Sequence, residues 1–156
     1  MDAHDFMREA IAQSAYSVHS GQGGPFGAVI VQNGQIVARG HNQVTPTNDP
    51  TAHAEVVAIR EACKTLNTFQ LDGCELYTSC EPCPMCLGAI YWARLDRIVY
   101  ANTQQDAADI GFDDQFIYDE INRPVAERKL PMTQMLREEA LQVFQDWVNK
   151  VDRVNY

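Results

Sequence analysis

The sequence predicts a three-layer α/β/α sandwich, with helices on both faces of a central mixed sheet of five strands. Three observations predict it. Apolar residues switch between helical and strand periodicity along the chain. Asn33-Gly34 joins two strand-like runs in the manner of a tight hairpin. No repeat, low-complexity segment or linker divides the 156 residues, which suffice for one domain with a core and are too few for two.

The elements follow in order. From His4 to Ser20, apolar residues at Met7, Ala10, Ile11, Ala15 and Val18 mark one face of a helix, which Gly21 to Gly24 ends. Phe26 to Gln32 and Gln35 to Ala38 are the hairpin strands. After the polar stretch His41 to Thr51, Asp49-Pro50 is a helix start, an N-cap followed by proline. That helix runs to about Leu66, with Ala54, Val57, Ala58 and Cys63 facing inward. Glu75 to Ser79 is a strand, Pro82 opens a helix to about Ala93, and Arg97 to Ala101 is the next strand. Pro131 to Met135 is the fifth strand, and Arg137 to Asn149 is a helix with Leu141, Phe144 and Val148 on one face. The run Leu87 to Ala93 is apolar all round, which predicts a helix buried against the sheet and a partner subunit.

Composition narrows the function. The chain is 46% hydrophobic and 21% charged, an ordinary globular balance. Its net charge of −9 and the lack of any Lys/Arg cluster oppose a phosphate-gripping surface and favour a small neutral substrate over a nucleic acid. The longest apolar run, Met85 to Ala93, is about half of what a membrane span needs. Acids near the N-terminus stand where a secretory signal carries bases, so a cytoplasmic location is expected. Five cysteines, three of them at Cys80, Cys83 and Cys86, suit a metal better than a disulfide framework. Isolated Cys63 and Cys74 read as small buried hydrophobes.

The chemistry gathers at two helix starts, His53-Ala54-Glu55 and Pro82-Cys83-Pro84-Met85-Cys86. Cys83 and Cys86, three apart, share one helical face, and with His53 they offer two thiolates and an imidazole to one Zn²⁺ per chain. The fourth tetrahedral position is then open to water, whose pKa zinc lowers to about 7. Glu55 is the candidate proton carrier. Because His53 and Glu55 are two apart, both reach the metal only if the end of their helix points at it. Cys80-x-x-Cys83 allows an alternative, a closed structural site of His53, Cys80, Cys83 and Cys86, which would make the chain a zinc-stabilised binding module. H-x-E followed by P-C-x-x-C is the pattern of nucleobase deaminases.

At these residues the sequence resembles the cytidine deaminase superfamily, and over nearly its whole length the short bacterial guanine deaminases within it. The matching segments are Gly24-Pro25-Phe26-Gly27-Ala28, Asn48 to Glu55, Ser79 to Ala93, Gly111-Phe112-Asp113-Asp114 and the terminal Tyr156. The resemblance implies a cytidine deaminase-like fold over residues 1–156 and hydrolysis of guanine to xanthine and ammonia. By the same resemblance a zinc-bound hydroxide attacks C2 and Glu55 shuttles the proton. Asn42 and Asp114 would contact the purine base, and residues 150–156 would form a lid carrying Tyr156, over the chain's own pocket or over that of the partner in a homodimer. Phe26 and Trp92 are candidate walls of the base slot, with core packing as the competing role of each. Asp114 competes with a solvated loop role beside Asp113, and Tyr156 with a disordered terminus. Deamination of tRNA adenosine, cytosine, guanosine or an aminotriazine uses the same zinc chemistry and stays open at this point.

Overall fold

The N-terminal helix shows how local signals and packing combine in this chain, whose computed structural model describes residues 1–156. Helix α1, Ala3–His19, starts at Asp2, whose side chain accepts from the Asp5 backbone N–H while Asp5 returns the bond to Asp2. Its inward residues are Phe6, Ala10 and Ser17, whereas Ile11 and Val18 are about half exposed. The buried stripe is therefore rotated from the one expected and includes Ser17, whose hydroxyl donates to the Asn42 carbonyl at 3.2 Å.

The chain falls into two compact units, Met1–Asp114 and Gln115–Tyr156. The first contains the sheet. Strands β1 (Gly27–Gln32) and β2 (Gln35–His41) form the hairpin, and Asn33 and Gly34 both take the positive φ that its turn demands. The register slips between Ile30 and Val31, leaving Val37 as the extra residue of a bulge. Strands β3 (Cys74–Cys80) and β4 (Arg97–Asn102) complete the order β2-β1-β3-β4; β1 is antiparallel to both neighbours, and β3 is parallel to β4.

Side chains alternate across the sheet. Val29, Val31 and Tyr77 pack on α1, where the Phe6 and Tyr77 rings meet edge-on at 5.3 Å. On the other face, Ala28, Ile30 and Leu76 pack against helices α3 (Ala54–Leu66) and α4 (Pro84–Trp92). A short helix α2, Val44–Thr47, precedes α3, and α5, Gln104–Asp109, follows β4. This is the expected three-layer arrangement.

The mixed sheet has four strands, not five. Residues 131–135 have no regular structure, because every other element of their unit is helical and offers no edge to pair with. Helix α3 starts at His53, not at Asp49-Pro50. The Asp49 carboxylate instead folds onto the Thr51 N–H at 2.8 Å, a local turn that competes with helix. Helix α4 likewise starts at Cys83 with Pro84 in its first turn, one step after Pro82. Only Cys86 and Ile90 of α4 are fully buried, while Tyr91 and Trp92 are largely exposed, so the helix is not enclosed within this chain.

The second unit holds α6 (Gln115–Ile121), a 3₁₀ turn at Val125–Glu127 and α7 (Arg137–Asn149). The Arg128 guanidinium closes α6 by donating to the carbonyls of Glu120, Ile121 and Arg123. The face of α7 expected to be internal is exposed at Phe144 and Val148, and no α7 residue is buried.

Helix α3 lies unusually close to β2. Its stripe Ala54, Ala58, Ala62 is fully buried, and a Cβ on Gly40 would come within 2.3 Å of the Ala54 carbonyl oxygen. Gly40→Ala is expected to cost about 1–3 kcal/mol, roughly 3–10 °C of thermal midpoint for a chain of this size. An unchanged midpoint would show that α3 does not rest on β2 this closely.

Candidate active site

Two helix N-termini meet on the α3/α4 face of the sheet. His53 is the N-cap of α3 and Cys83 the N-cap of α4, both with extended backbone, so their side chains project past the helix ends. His53 Nδ1 lies 3.5 Å from Cys83 Sγ and 3.5 Å from Cys86 Sγ. The three ligating atoms all fall within 4.8 Å of one another. The condition set by the two-residue spacing of His53 and Glu55 is met, since the end of α3 points at the site.

These residues fit zinc. Tetrahedral zinc with bonds of about 2.3 Å to sulfur and about 2.0–2.1 Å to nitrogen separates those two atoms by about 3.6 Å, close to the spacing found. The electrostatics agree. The Cys83 thiol is pulled down to about 4, first by its hydrogen bond with the Cys86 side chain and, against burial, by His53 and the Cys86 backbone N–H. That N–H reaches Cys83 Sγ at 3.5 Å, so the sulfur itself caps α4. Cys86 is pushed up by its bond to Cys83 and by burial, and His53 is raised mainly by its bond to Cys83. Two sulfurs so close hold both negative charges only when a cation lies between them.

Cys80 takes no part in this cluster. Its thiol donates to the Thr103 carbonyl at 3.6 Å, and burial pushes it up to about 11. The closed four-ligand alternative therefore does not form.

Glu55 is 5% exposed on the first turn of α3, and burial pushes its carboxyl well above the usual range. The Thr78 hydroxyl reaches Glu55 Oε1 at 2.8 Å and the Cys80 carbonyl oxygen at 3.0 Å, so its one hydrogen serves either acceptor. The carboxyl also lies within hydrogen-bonding reach of the Cys86 side chain.

Asn42, buried after β2, has its orientation set by the backbone. Its Oδ1 accepts from the N–H groups of Val44 at 3.1 Å and Gly24 at 3.4 Å, which leaves Nδ2 as the side chain's donor. Gly23 permits this seat, since a Cβ there would lie 2.4 Å from the Asn42 carbonyl oxygen. Phe26 packs edge-on against Phe112 at 5.0 Å, which ties the segment Gly111–Asp114 to the start of β1.

Asp114 ends that segment. Its carboxyl bonds to the Gln104 side chain, is raised mainly by burial, and lies within electrostatic reach of Cys83 and Cys80. Asp114 Oδ1 is buried without a hydrogen-bond partner.

Not every expected residue is brought in. Trp92 stands six residues beyond Cys86, about 9 Å along α4, and is 64% exposed. Tyr156 is exposed within the second unit. Thr78 and Gln104 were not singled out from the sequence, and Phe112 only as part of the segment Gly111-Phe112-Asp113-Asp114. Thr78 had a signal, being the polar member of the inward row Cys74, Leu76, Thr78; nothing local marked Gln104.

Comparison with known proteins agrees with this geometry. Residues 1–102 match the family described as the cytidine and deoxycytidylate deaminase zinc-binding region. Over all 156 residues the chain is 55% identical to a guanine deaminase of Bacillus subtilis, covering 100% of both. A crystal structure of guanine deaminase from that organism superposes with a TM-score of 0.97, over 100% of this chain and 99% of the other. A tRNA-specific adenosine deaminase of Aquifex aeolicus is 43% identical over 96 residues, 62% of this chain and 63% of its own.

Substituting the metal ligands tests the trio directly. Cys83→Ser and Cys86→Ser are expected to lose bound zinc, whereas Cys80→Ser keeps one ion per chain by elemental analysis. Loss of zinc from Cys80→Ser with retention in either of the others would reverse the ligand assignment.

Proposed function

The chain belongs to the cytidine and deoxycytidylate deaminase family, and from that membership we propose that it is a zinc-dependent guanine deaminase, hydrolysing guanine to xanthine and ammonia. The observation that carries the substrate is the pair Asn42 and Asp114. One presents a donor fixed by the backbone, the other a buried carboxyl oxygen, Oδ1, without a partner. Guanine offers a carbonyl acceptor and, beside it, the donors of its ring N–H and exocyclic amine. Adenine places an acceptor next to its amine, which a carboxylate repels.

Zinc held by His53, Cys83 and Cys86 supplies Lewis acidity and a water activated at neutral pH. The residues of the chain do the rest. Glu55 takes the water's proton on the carboxyl oxygen turned away from Thr78, delivers it to the ring nitrogen beside C2, and assists the amine as it leaves as ammonia. Asn42 donates to a ring acceptor and Asp114 accepts from the exocyclic amine, so the base is held in one orientation. Phe26, steadied by Phe112, offers an aromatic wall. Deep burial of Glu55 keeps bulk water from the proton it carries.

The finer features belong to the same proposal. Residues 1–156 work as one deaminase domain, with 150–156 as a lid that brings Tyr156 over the base and excludes ribose. The lid is exchanged across a homodimer. What supports this is exposed apolar surface that a single chain leaves uncovered: Leu130, Met135, Phe144 and Val148 in the second unit, and Tyr91 on α4. The net charge of −9 supports a free base over a nucleic acid. Five free cysteines support residence in a reducing cytoplasm, and no helix is long and apolar enough to cross a membrane.

Deamination of tRNA adenosine is the second reading, favoured by the similarity to the Aquifex protein over 96 residues. The guanine deaminase similarity extends through the remaining residues as well, which supports the first reading.

Ammonia release from guanine, guanosine, cytosine, adenine and adenosine in tRNA, with and without a chelator, separates the readings. Chelator-sensitive release from guanine alone is expected; release from adenosine in tRNA and none from guanine would install the second reading. Asp114→Asn is expected to lower kcat/KM for guanine by roughly 100-fold or more, because an amide then faces donors. Unchanged kcat/KM would remove Asp114 from base recognition.

A further inference from the structure

Glu55 enters the buried site from α3, yet α3 gives its carboxyl no anchor: the hydrogen bond that holds Oε1 comes from β3, through Thr78 at 2.8 Å. Thr78 is fully buried in the middle of the sheet, opposite Ala28 of β1 and Tyr100 of β4. Its backbone is thus tied on both sides, and a β-branched side chain has few rotamers to choose from. It is also the polar end of an otherwise apolar row, since Cys74 and Leu76 on the same face pack into the core. A buried hydroxyl in such a row carries a desolvation cost that a valine of the same shape would avoid.

From this geometry we infer that Thr78 is the positioning residue of the proton carrier, holding Oε1 of Glu55 so that the second carboxyl oxygen faces the metal ligands. The inference deepens the deaminase reading and rests on Glu55 carrying the proton in it. A carboxyl on a freely rotating χ3 presents either oxygen in either direction. With Oε1 pinned to a rigid strand, the second oxygen is the one left for the proton, and the carboxyl lies in contact with the ligand Cys86. The same hydroxyl lies 3.0 Å from the Cys80 carbonyl oxygen, which places Thr78 at the point where β3 leads towards the ligands Cys83 and Cys86. One side chain therefore couples the position of the proton carrier to the strand that leads to the metal.

The test compares Thr78→Val, Thr78→Ser and Thr78→Ala in the zinc-loaded protein. Zinc content and thermal midpoint are measured beside kcat and KM for guanine. Thr78→Val, which keeps the shape and loses the hydroxyl, is expected to lower kcat roughly 10- to 100-fold with KM and zinc content unchanged. Thr78→Ser, which keeps the hydroxyl and loses a methyl group, is expected to hold kcat within a few-fold despite a lower midpoint. A structural role alone predicts the reverse, with activity following stability.

A readout independent of substrate is the carboxyl carbon resonance of Glu55 in ¹³C-glutamate-labelled protein, assigned by its loss in Glu55→Gln. It should move in Thr78→Val and return in Thr78→Ser. If Thr78→Val does not fold or loses zinc, Ser against Ala makes the same comparison. Wild-type kcat in Thr78→Val, or an unmoved Glu55 resonance, would overturn the inference. A moved resonance in a protein inactive on guanine would leave it standing and overturn the substrate reading instead.

Discussion

Everything at this site depends on two helix N-termini arriving at one place. An N-cap side chain projects beyond the helix end and meets backbone N–H groups that have no intrahelical partner. Here the two N-caps are a histidine and a cysteine, so the positions that ordinarily hold serine or aspartate hold metal ligands instead. The Cys86 N–H that completes the cap of α4 also favours a thiolate on Cys83. At α4, helix capping and metal binding share one sulfur, whereas His53 makes no side-chain cap bond to α3 and reaches the site by its position alone.

The fold serves that convergence. Close seating of α3 on β2 through Gly40 and the alanine stripe sets the height of His53 above the sheet. The β3–α4–β4 crossover, with β3 and β4 parallel, delivers Cys83 and Cys86 to the same end. Around them the buried polar groups divide into two kinds. Glu55 and Asn42 are held by the protein's own donors, on Thr78 and on the backbone of Gly24 and Val44. Asp114 Oδ1 is held by nothing. Buried acceptors without partners are rare in folded proteins, and a ligand that brings donors resolves this one.

Much of this was legible in the sequence because it is written in short-range chemistry. The hairpin at Asn33-Gly34, the helix from Arg137 to Asn149, and the H-x-E and P-C-x-x-C segments each depend on neighbouring residues, and each stands where the sequence predicts. What was not legible depends on competition between neighbours or on distant pairing. Asp49-Pro50 carries a proper helix start, but the Asp49 carboxylate closes a turn onto Thr51, and His53 takes the cap. The apolar residues at 131–135 suggest a strand, yet a strand needs an edge, and their unit has none. Thr78 and Gln104 reach their partners across 23 and 10 positions respectively, a separation no local pattern reports.

The central claim is a zinc centre of two sulfurs and one nitrogen with its fourth position open beside Glu55. X-ray absorption at the zinc edge of the protein without substrate measures this most directly. The account predicts two sulfur neighbours at about 2.3 Å and two nitrogen or oxygen neighbours at about 2.0–2.1 Å, one of them exchangeable with solvent. Three sulfur neighbours and a single nitrogen would contradict it, for they would bring Cys80 into a closed structural site.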